Sequence, residues 1–218
     1  MKYADRIEEL KKILYTGILA DVMDQKGYRN QSLSNAIYGL NDETVIFGPA
    51  FTSIGSEVYS MPDDPLTAQC KIVDQLGENE IYVLVTRGNY TCAVFGELFA
   101  TAVKGRKGAG VLLDGYARDM KALKAMDFPL FFRGKDPKTS KGRCEINECQ
   151  IPVTIDGVTI NPGDYIFGDI DGVVVIPKEI VDDVLDDALL TIKKEDEVRA
   201  RLVGGSSLAQ AYADIGAI

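Results

Sequence analysis

The stretch that constrains this chain most runs from Cys92-Ala93-Val94-Phe95 through Gly96-Glu97-Leu98-Phe99-Ala100-Thr101-Ala102 and Gly108-Ala109-Gly110-Val111-Leu112-Leu113-Asp114-Gly115 to Tyr116-Ala117-Arg118-Asp119. It reads as a short buried strand, a glycine turn, a helix of small residues, a second glycine turn, an apolar strand and a polar loop. A strand–helix–strand succession needs helices laid against a sheet, and helical patterns at both ends of the chain extend that requirement. The expected fold class is α/β, in one layered domain. The loop delivers a fixed positive charge, Arg118, directly beside a carboxylate, Asp119, and Glu97 opens the preceding helix.

The flanking segments fill in this outline. Tyr3 to Tyr15 predicts an amphipathic helix with Ile7, Leu10, Ile13 and Leu14 on one face. A second helix starts at Thr16 or Gly17 and stops at Gly27, so the N-terminal helices span about 3–26. Thr44 to Thr52 predicts a strand that Gly48-Pro49 interrupts, as a bulge or at a sheet edge. Pro65 to Leu76 reads as a helix, Ile81 to Val85 as an apolar strand, Met120 to Met126 as a helix and Pro129 to Phe132 as a strand. Gly134 to Asn147 is polar and predicts a long surface loop. Short strands at Ile151–Ile155, Val158–Ile160, Tyr165–Phe167 and Val173–Ile176, separated by glycine turns, predict a compact β-layer or barrel-like sheet. Glu179 to Val203 predicts a long helix and a short one follows Ser206 or Ser207, a C-terminal helical region of about 179–214. A single domain, 1–218, suits a chain of 218 residues.

Histidine is absent from the whole sequence. That excludes Ser-His-Asp and Cys-His machinery and any His-ligated zinc. A metal here needs oxygen ligands, which points to Mg²⁺ or Mn²⁺. Proton transfer falls to a carboxylate, Lys, Tyr, Cys or a metal-bound water. The net charge of −9 argues against a general nucleic-acid binder and leaves room for a local basic pocket. No window approaches the roughly 20 apolar residues of a membrane span, and no signal peptide is read at the start. Four cysteines make no disulfide-dense pattern, so a reducing cytoplasm is the expected compartment. Cys144 and Cys149 lack a second thiol pair or a histidine and are expected as free thiols.

If the loop after Leu113 and the helix start at Glu97 share one cavity, the amides of Leu98 and Phe99 point into it, unpaired within the helix. Such a helix start takes a carboxylate. Arg118 adds a permanently charged, bidentate partner for a carboxylate or enolate oxygen. Asp119 suits a hard divalent cation held mostly by waters and substrate oxygens. A 2-oxo acid chelating that cation passes through a stabilised enolate on retro-aldol cleavage or β-decarboxylation. The competing reading is structural: Arg-Asp neighbours and glycine turns are common, and a glutamate at a helix start complements the helix dipole.

The same residues, Gly96-Glu97-Leu98, Gly108-x-Gly110-Val111, Asp114-Gly115 and Arg118-Asp119, resemble the signature of the RraA-like family. Gly48-Pro49-Ala50-x-Thr52, Pro162-Gly163-Asp164 and Asp169-x-Asp171-Gly172 through Pro177 extend the resemblance over nearly the whole chain. That family holds the class II 4-hydroxy-4-methyl-2-oxoglutarate / 4-carboxy-4-hydroxy-2-oxoadipate aldolases and the RraA regulators of ribonuclease E. The resemblance implies an α-β-β-α sandwich of the swivelling β/β/α type, assembled as homotrimers or homohexamers with sites between subunits. It implies a pyruvate-forming lyase with oxaloacetate decarboxylase activity, in which Arg118 stabilises the enolate and Asp119 ligates the metal. Glu97 would orient metal-bound water in the place the family usually gives to Asp, and the Leu98 and Phe99 amides beside Gly96 would hold the pyruvyl carboxylate. A metal-bound water would be the general base. A glutamate from a neighbouring subunit's C-terminal region completes the family's site, for which Glu195, Asp196 and Glu197 are available. The alternatives are a non-catalytic ribonuclease regulator or partner-binding protein, and a related lyase for another oxo acid.

Overall fold

The computed structural model describes residues 2–88 and 90–216. The N-terminal half holds α1 (Ile7–Leu10), α2 (Thr16–Gln25), β1 (Tyr38–Gly39), β2 (Ile46–Glu57), α3 (Thr67–Val73), β3 (Ile81–Val85), β4 (Ala93–Phe95) and α4 (Glu97–Gly105). Then come β5 (Gly110–Ala117), α5 (Met120–Ala125), β6 (Leu130–Lys135), β7 (Cys144–Cys149), β8 (Val153–Ile155), β9 (Val158–Ile160), β10 (Tyr165–Asp169) and β11 (Gly172–Ile176). Two helices follow, α6 (Val181–Val203) and α7 (Leu208–Ile215), the second capped by the Ser207 hydroxyl accepting from the Gln210 amide.

The main sheet runs β1-β6-β5-β3-β2-β10-β11, with β4 on β5 and β7 on β2. Strands β2, β3, β5 and β6 are parallel where they pair, and β4 joins β5 in the same sense. Their carboxyl ends therefore share one edge, where open α/β sheets place ligands. The two ends of the strand order meet: the Leu33 amide donates to the Val173 carbonyl at 2.9 Å, and the Val175 amide to the Gln31 carbonyl at 2.8 Å. The sheet is thus a nearly closed barrel.

Three apolar layers hold this arrangement. Leu84, Val111, Leu113 and Phe132 pack under α3, α4 and α5. Ile81, Val83, Leu112 and Phe131 fill the barrel interior, plugged by Val153, Ile155, Val158 and Ile160 of the β8–β9 hairpin. Phe47, Phe167 and Val174 meet α1, α2 and α6 on the far side. Each such large side chain contributes about 1.5–3 kcal/mol by leaving water. The expected helix–sheet–sheet–helix layering is what these packings produce.

Three expectations change. The helix expected over Tyr3–Tyr15 is broken into a 3-10 turn at Ala4–Arg6, α1 and a turn. Tyr15 is extended, and the Asp169 carboxylate accepts from the Thr16 amide at 2.9 Å, which pins a separate start for α2. The strand around Gly48-Pro49 lies within the sheet, though at Gly48-Pro49 itself it is paired on one side only. One side of β2 pairs first with β10 and then with β7, while the other side takes up β3 from Ala50 onward. Pro49 lies opposite Tyr165 just before β3 begins, and the bulge falls later, at Ile54/Gly55. Finally, Gly134–Asn147 is only partly loop: β6 continues to Lys135, and β7 starts at Cys144 with Cys144 and Ile146 turned inward.

Candidate functional site

Strand β3 ends its pairing with β5 at Val85↔Asp114, and β4 takes over beside Tyr116 and Ala117. This handover carries the last residues of β4 to the exit of β5. The Arg118 amide donates to the Phe95 carbonyl at 2.9 Å, so Arg118-Asp119 lies against Gly96 and the first turn of α4. Asp119 adopts the left-handed conformation (φ 62°, ψ 34°), a strain of about 1–3 kcal/mol for a residue with a side chain. In that conformation its Oδ2 accepts from the Glu97 amide at 3.2 Å. The aspartate thereby caps a helix 22 residues away in sequence.

Gly96 is what permits the approach. A Cβ there would sit 2.5 Å from Asp119 Oδ2 and 3.2 Å from Arg118 Cγ. The pocket at this edge, an open depression of about 450 Å³, is lined by Gly96, Leu98, Phe99, Arg118 and Asp119. Helix geometry leaves the Leu98 and Phe99 amides without intrahelical acceptors. Phe99 stacks on Phe95 at 6.3 Å, and Leu98 stands 80% exposed at the mouth. Arg118 Nε is 3.7 Å from Asp119 Oδ2, too far for a hydrogen bond, with both side chains more than two-fifths exposed. Neither charge is consumed by the other.

Of the expected site residues, Gly96, Leu98, Phe99, Arg118 and Asp119 come together. Glu97 joins them through its backbone, while its carboxylate accepts from the Thr101 hydroxyl at 2.9 Å one turn along α4. Glu195 lies elsewhere in the chain, on α6, where it accepts from the Tyr15 hydroxyl. Burial, and then this bond, push Tyr15 up to about 12. Among the described residues no group of three or more Cys, Asp or Glu is placed to hold a metal. The donor set at the pocket is one carboxylate, Asp119, packed closely against Gly96. Such a set fits a Mg²⁺-like cation carried mainly by water and substrate oxygens, and does not fit a thiolate cage. Cys144 and Cys149 are free thiols, Cys144 buried, at opposite ends of one strand.

Thr139 and Ser140 also line the pocket and escaped the sequence reading. They arrive because the Ala93 amide donates to the Lys138 carbonyl at 2.9 Å, a contact no local pattern announces. A second polar group, on the opposite face of β5 and β6, was also missed. Arg133 binds Asp114 and, at 2.5 Å, Asp156 in the β8–β9 turn. Tyr90 donates to Asp114 at 2.9 Å, and burial, followed by that bond, pushes it up to about 12. Partial burial works against the charge on Asp156, yet Ser34 and Arg133 outweigh it and hold the carboxyl below its ordinary range.

The sequence matches the family described as RraA-like, Aldolase/RraA, over residues 16–175. It is 34% identical, over 89% of this chain and 87% of the relative, to a protein of Halalkalibacterium halodurans named "Putative 4-hydroxy-4-methyl-2-oxoglutarate aldolase". It is 28% identical to Protein DlpA of Legionella pneumophila over 90% of this chain but 31% of that protein. The chain thus spans about a third of DlpA, and under two thirds of several further relatives. The crystal structure of Streptomyces coelicolor RraAS2, described as an unusual member of the RNase ES inhibitor RraA protein family, superposes with a TM-score of 0.78. At 23% identity, over 90% of this chain and 96% of that one, it supports the fold alone.

Proposed function

The chain belongs to the RraA-like family, and from that premise we propose that it is a divalent-metal-dependent lyase. It cleaves 4-hydroxy-2-oxo acids of the 4-hydroxy-4-methyl-2-oxoglutarate type to pyruvate, and decarboxylates oxaloacetate through the same enolate. The observation that carries this reading is the single pocket wall shared by Arg118, Asp119 and the first turn of α4. The name borne by the Halalkalibacterium relative supports it.

In this reading the Leu98 and Phe99 amides hold the substrate carboxylate, using the helix-start field. Arg118, half exposed and free of a tight partner, turns its fork onto the oxygen that gains charge as the carbon–carbon bond breaks. Asp119 would hold Mg²⁺ or Mn²⁺, the cation being completed by water and substrate oxygens. When bound, that cation withdraws electrons from the 2-oxo group and acidifies nearby water. Glu97 orients water at the same place once its carboxylate leaves Thr101, and Glu195 of a neighbouring copy in a homotrimer or homohexamer adds a further acid. Purified protein mixed with oxaloacetate and Mg²⁺ or Mn²⁺ releases pyruvate in this scheme, and chelation stops it. Full turnover after chelation sinks the metal-dependent reading.

The exposure of Leu98 at the pocket mouth favours a second reading, a partner-binding protein of the RraA type without chemistry of its own. It predicts no pyruvate release under any metal and a stable complex with a ribonuclease in co-purification.

A further inference from the structure

Strand β4 is flanked on both sides at the candidate site. Ala93 pairs with Tyr116 of β5 on one side and bridges to Thr139 on the other, where its amide donates to the Lys138 carbonyl at 2.9 Å. Arg118 and Asp119 follow β5, and Ser140 follows Thr139, so two arms reach one pocket from opposite sides of β4. They stand two strand spacings apart, roughly 10 Å. A substrate held at its 2-oxo acid end by Arg118 and the Leu98 and Phe99 amides therefore presents its farther carbons, from C4 on, to Ser140.

Ser140 is only 4% exposed, yet its hydroxyl has no hydrogen-bond partner among the described residues. The turn that Ser140 opens does not need that hydroxyl. The Arg143 and Cys144 amides donate to the Ser140 carbonyl at 2.8 and 2.9 Å, and an alanine carbonyl would accept them as well. Thr139 differs, because its Oγ1 accepts from the Lys141 amide at 3.4 Å within its own loop. A nearly buried hydroxyl left unpaired costs stability, and this one borders a pocket whose other walls include Leu66, Val94, Phe95 and Phe99. In such surroundings a donor acts more strongly on a charged oxygen than it does in water.

We propose that Ser140 biases the shared enolate chemistry toward aldol cleavage, by donating its hydroxyl hydrogen to the substrate oxygen on C4. This inference rests on the oxo-acid reading of the site. In cleavage of a 4-hydroxy-2-oxo acid the C4 hydroxyl gives its proton to water, and its oxygen becomes the carbonyl of the departing oxo product. The C3–C4 electron pair passes to the enolate, which takes a proton at C3 and leaves as pyruvate. The C4 oxygen gains negative charge as its proton departs, and a donor placed there stabilises it. Oxaloacetate carries its C4 carboxylate in the same place, but those oxygens lose their charge as CO2 forms and the C3–C4 pair passes to the enolate. A donor at C4 holds that carboxylate in its charged form and slows the step. One hydroxyl thus drives the two reactions in opposite directions.

The test compares kcat for cleavage of 4-hydroxy-4-methyl-2-oxoglutarate with kcat for decarboxylation of oxaloacetate, with Mg²⁺ present, in the full chain and its Ser140→Ala variant. The ratio of the first to the second is expected to fall about tenfold in the variant, the effect of one lost hydrogen bond, while the melting temperature holds. Ser140→Cys keeps the size of the side chain and loses the strong donor, so its ratio is expected to follow that of Ser140→Ala. The proposal is overturned if Ser140→Ala keeps the wild-type ratio, including the case in which both rates fall together, or if Ser140→Cys keeps it. Either of those results, with both substrates turned over by wild type, removes the role of Ser140 and leaves the oxo-acid reading standing. Turnover of neither substrate by wild type removes both.

Discussion

Arg133 and Arg118 each stand beside an aspartate near the carboxyl ends of adjacent parallel strands. Arg133, 12% exposed, bridges Asp114 and Asp156, whereas Arg118, 42% exposed, lies 3.7 Å from Asp119 without a hydrogen bond. The first arginine is spent. It ties β5 and β6 to the β8–β9 turn, and Tyr90 and Ser34 occupy further acceptor sites on its two carboxylates. The second is held in reserve at a pocket wall, in a loop whose backbone strain at Asp119 secures its place. Similar residue types thus serve opposite ends, and the deciding variable is how many donors each carboxylate already accepts.

Exchanging the two arginines for alanine tests this contrast most directly. Arg118→Ala is expected to lower pyruvate release from an oxo-acid substrate by about 10²–10³-fold while the melting temperature holds, as loss of an oxyanion donor does. Arg133→Ala leaves two buried or half-buried aspartates unpaired and is expected to cost about 3 kcal/mol of stability, read by urea denaturation. Its turnover per folded molecule is expected to stay close to wild type. If Arg118→Ala unfolds the protein, or Arg133→Ala abolishes activity in well-folded protein, the assignment of roles is wrong.

A smaller effect is expected at Gly96. Alanine there forces Asp119 Oδ2 away from a Cβ only 2.5 Å distant, which displaces the carboxylate and loosens the Glu97 amide contact. Turnover is expected to fall about tenfold, with a matching rise in the Mg²⁺ or Mn²⁺ concentration needed for half-maximal activity. Turnover and metal requirement identical to wild type would show that the close packing at Gly96 is structural only.

The contrast also explains what could be read from the sequence. Val111 to Leu113 between glycines, and the small residues after Gly96, announce β5 and α4 because their apolar pattern is local. The encounter of Gly96 with Arg118-Asp119 follows almost directly, since one strand and one helix separate them. Strand β7 was hidden because it offers only Cys144 and Ile146 to the core and shows polar residues outward. Closure of the barrel was equally hidden, as it depends on residues 31–33 finding β11. The Arg133 clamp joins partners 19 and 23 positions apart on different elements, and no periodicity encodes such a meeting.

The least of these effects concerns acid. Asp156 ionises below its ordinary range in the folded protein, so on acidification the unfolded chain takes up that proton first. Its contribution to stability is therefore complete above about pH 4, the unfolded aspartate value, and is lost as pH falls through the folded value. Asp156→Asn keeps the shape and a hydrogen-bonding oxygen but removes the charge that Arg133 meets. At neutral pH the variant is expected to be about 1 kcal/mol less stable than wild type, a modest figure because the Asp156 side chain remains 22% exposed. As pH falls through the folded value the two denaturation curves are expected to converge, since the wild-type carboxyl then becomes neutral too. A gap between wild type and Asp156→Asn that stays constant across this range would mean that shape alone, without charge, anchors the hairpin. The clamp would then differ from the Arg118–Asp119 pair in packing and not in electrostatics.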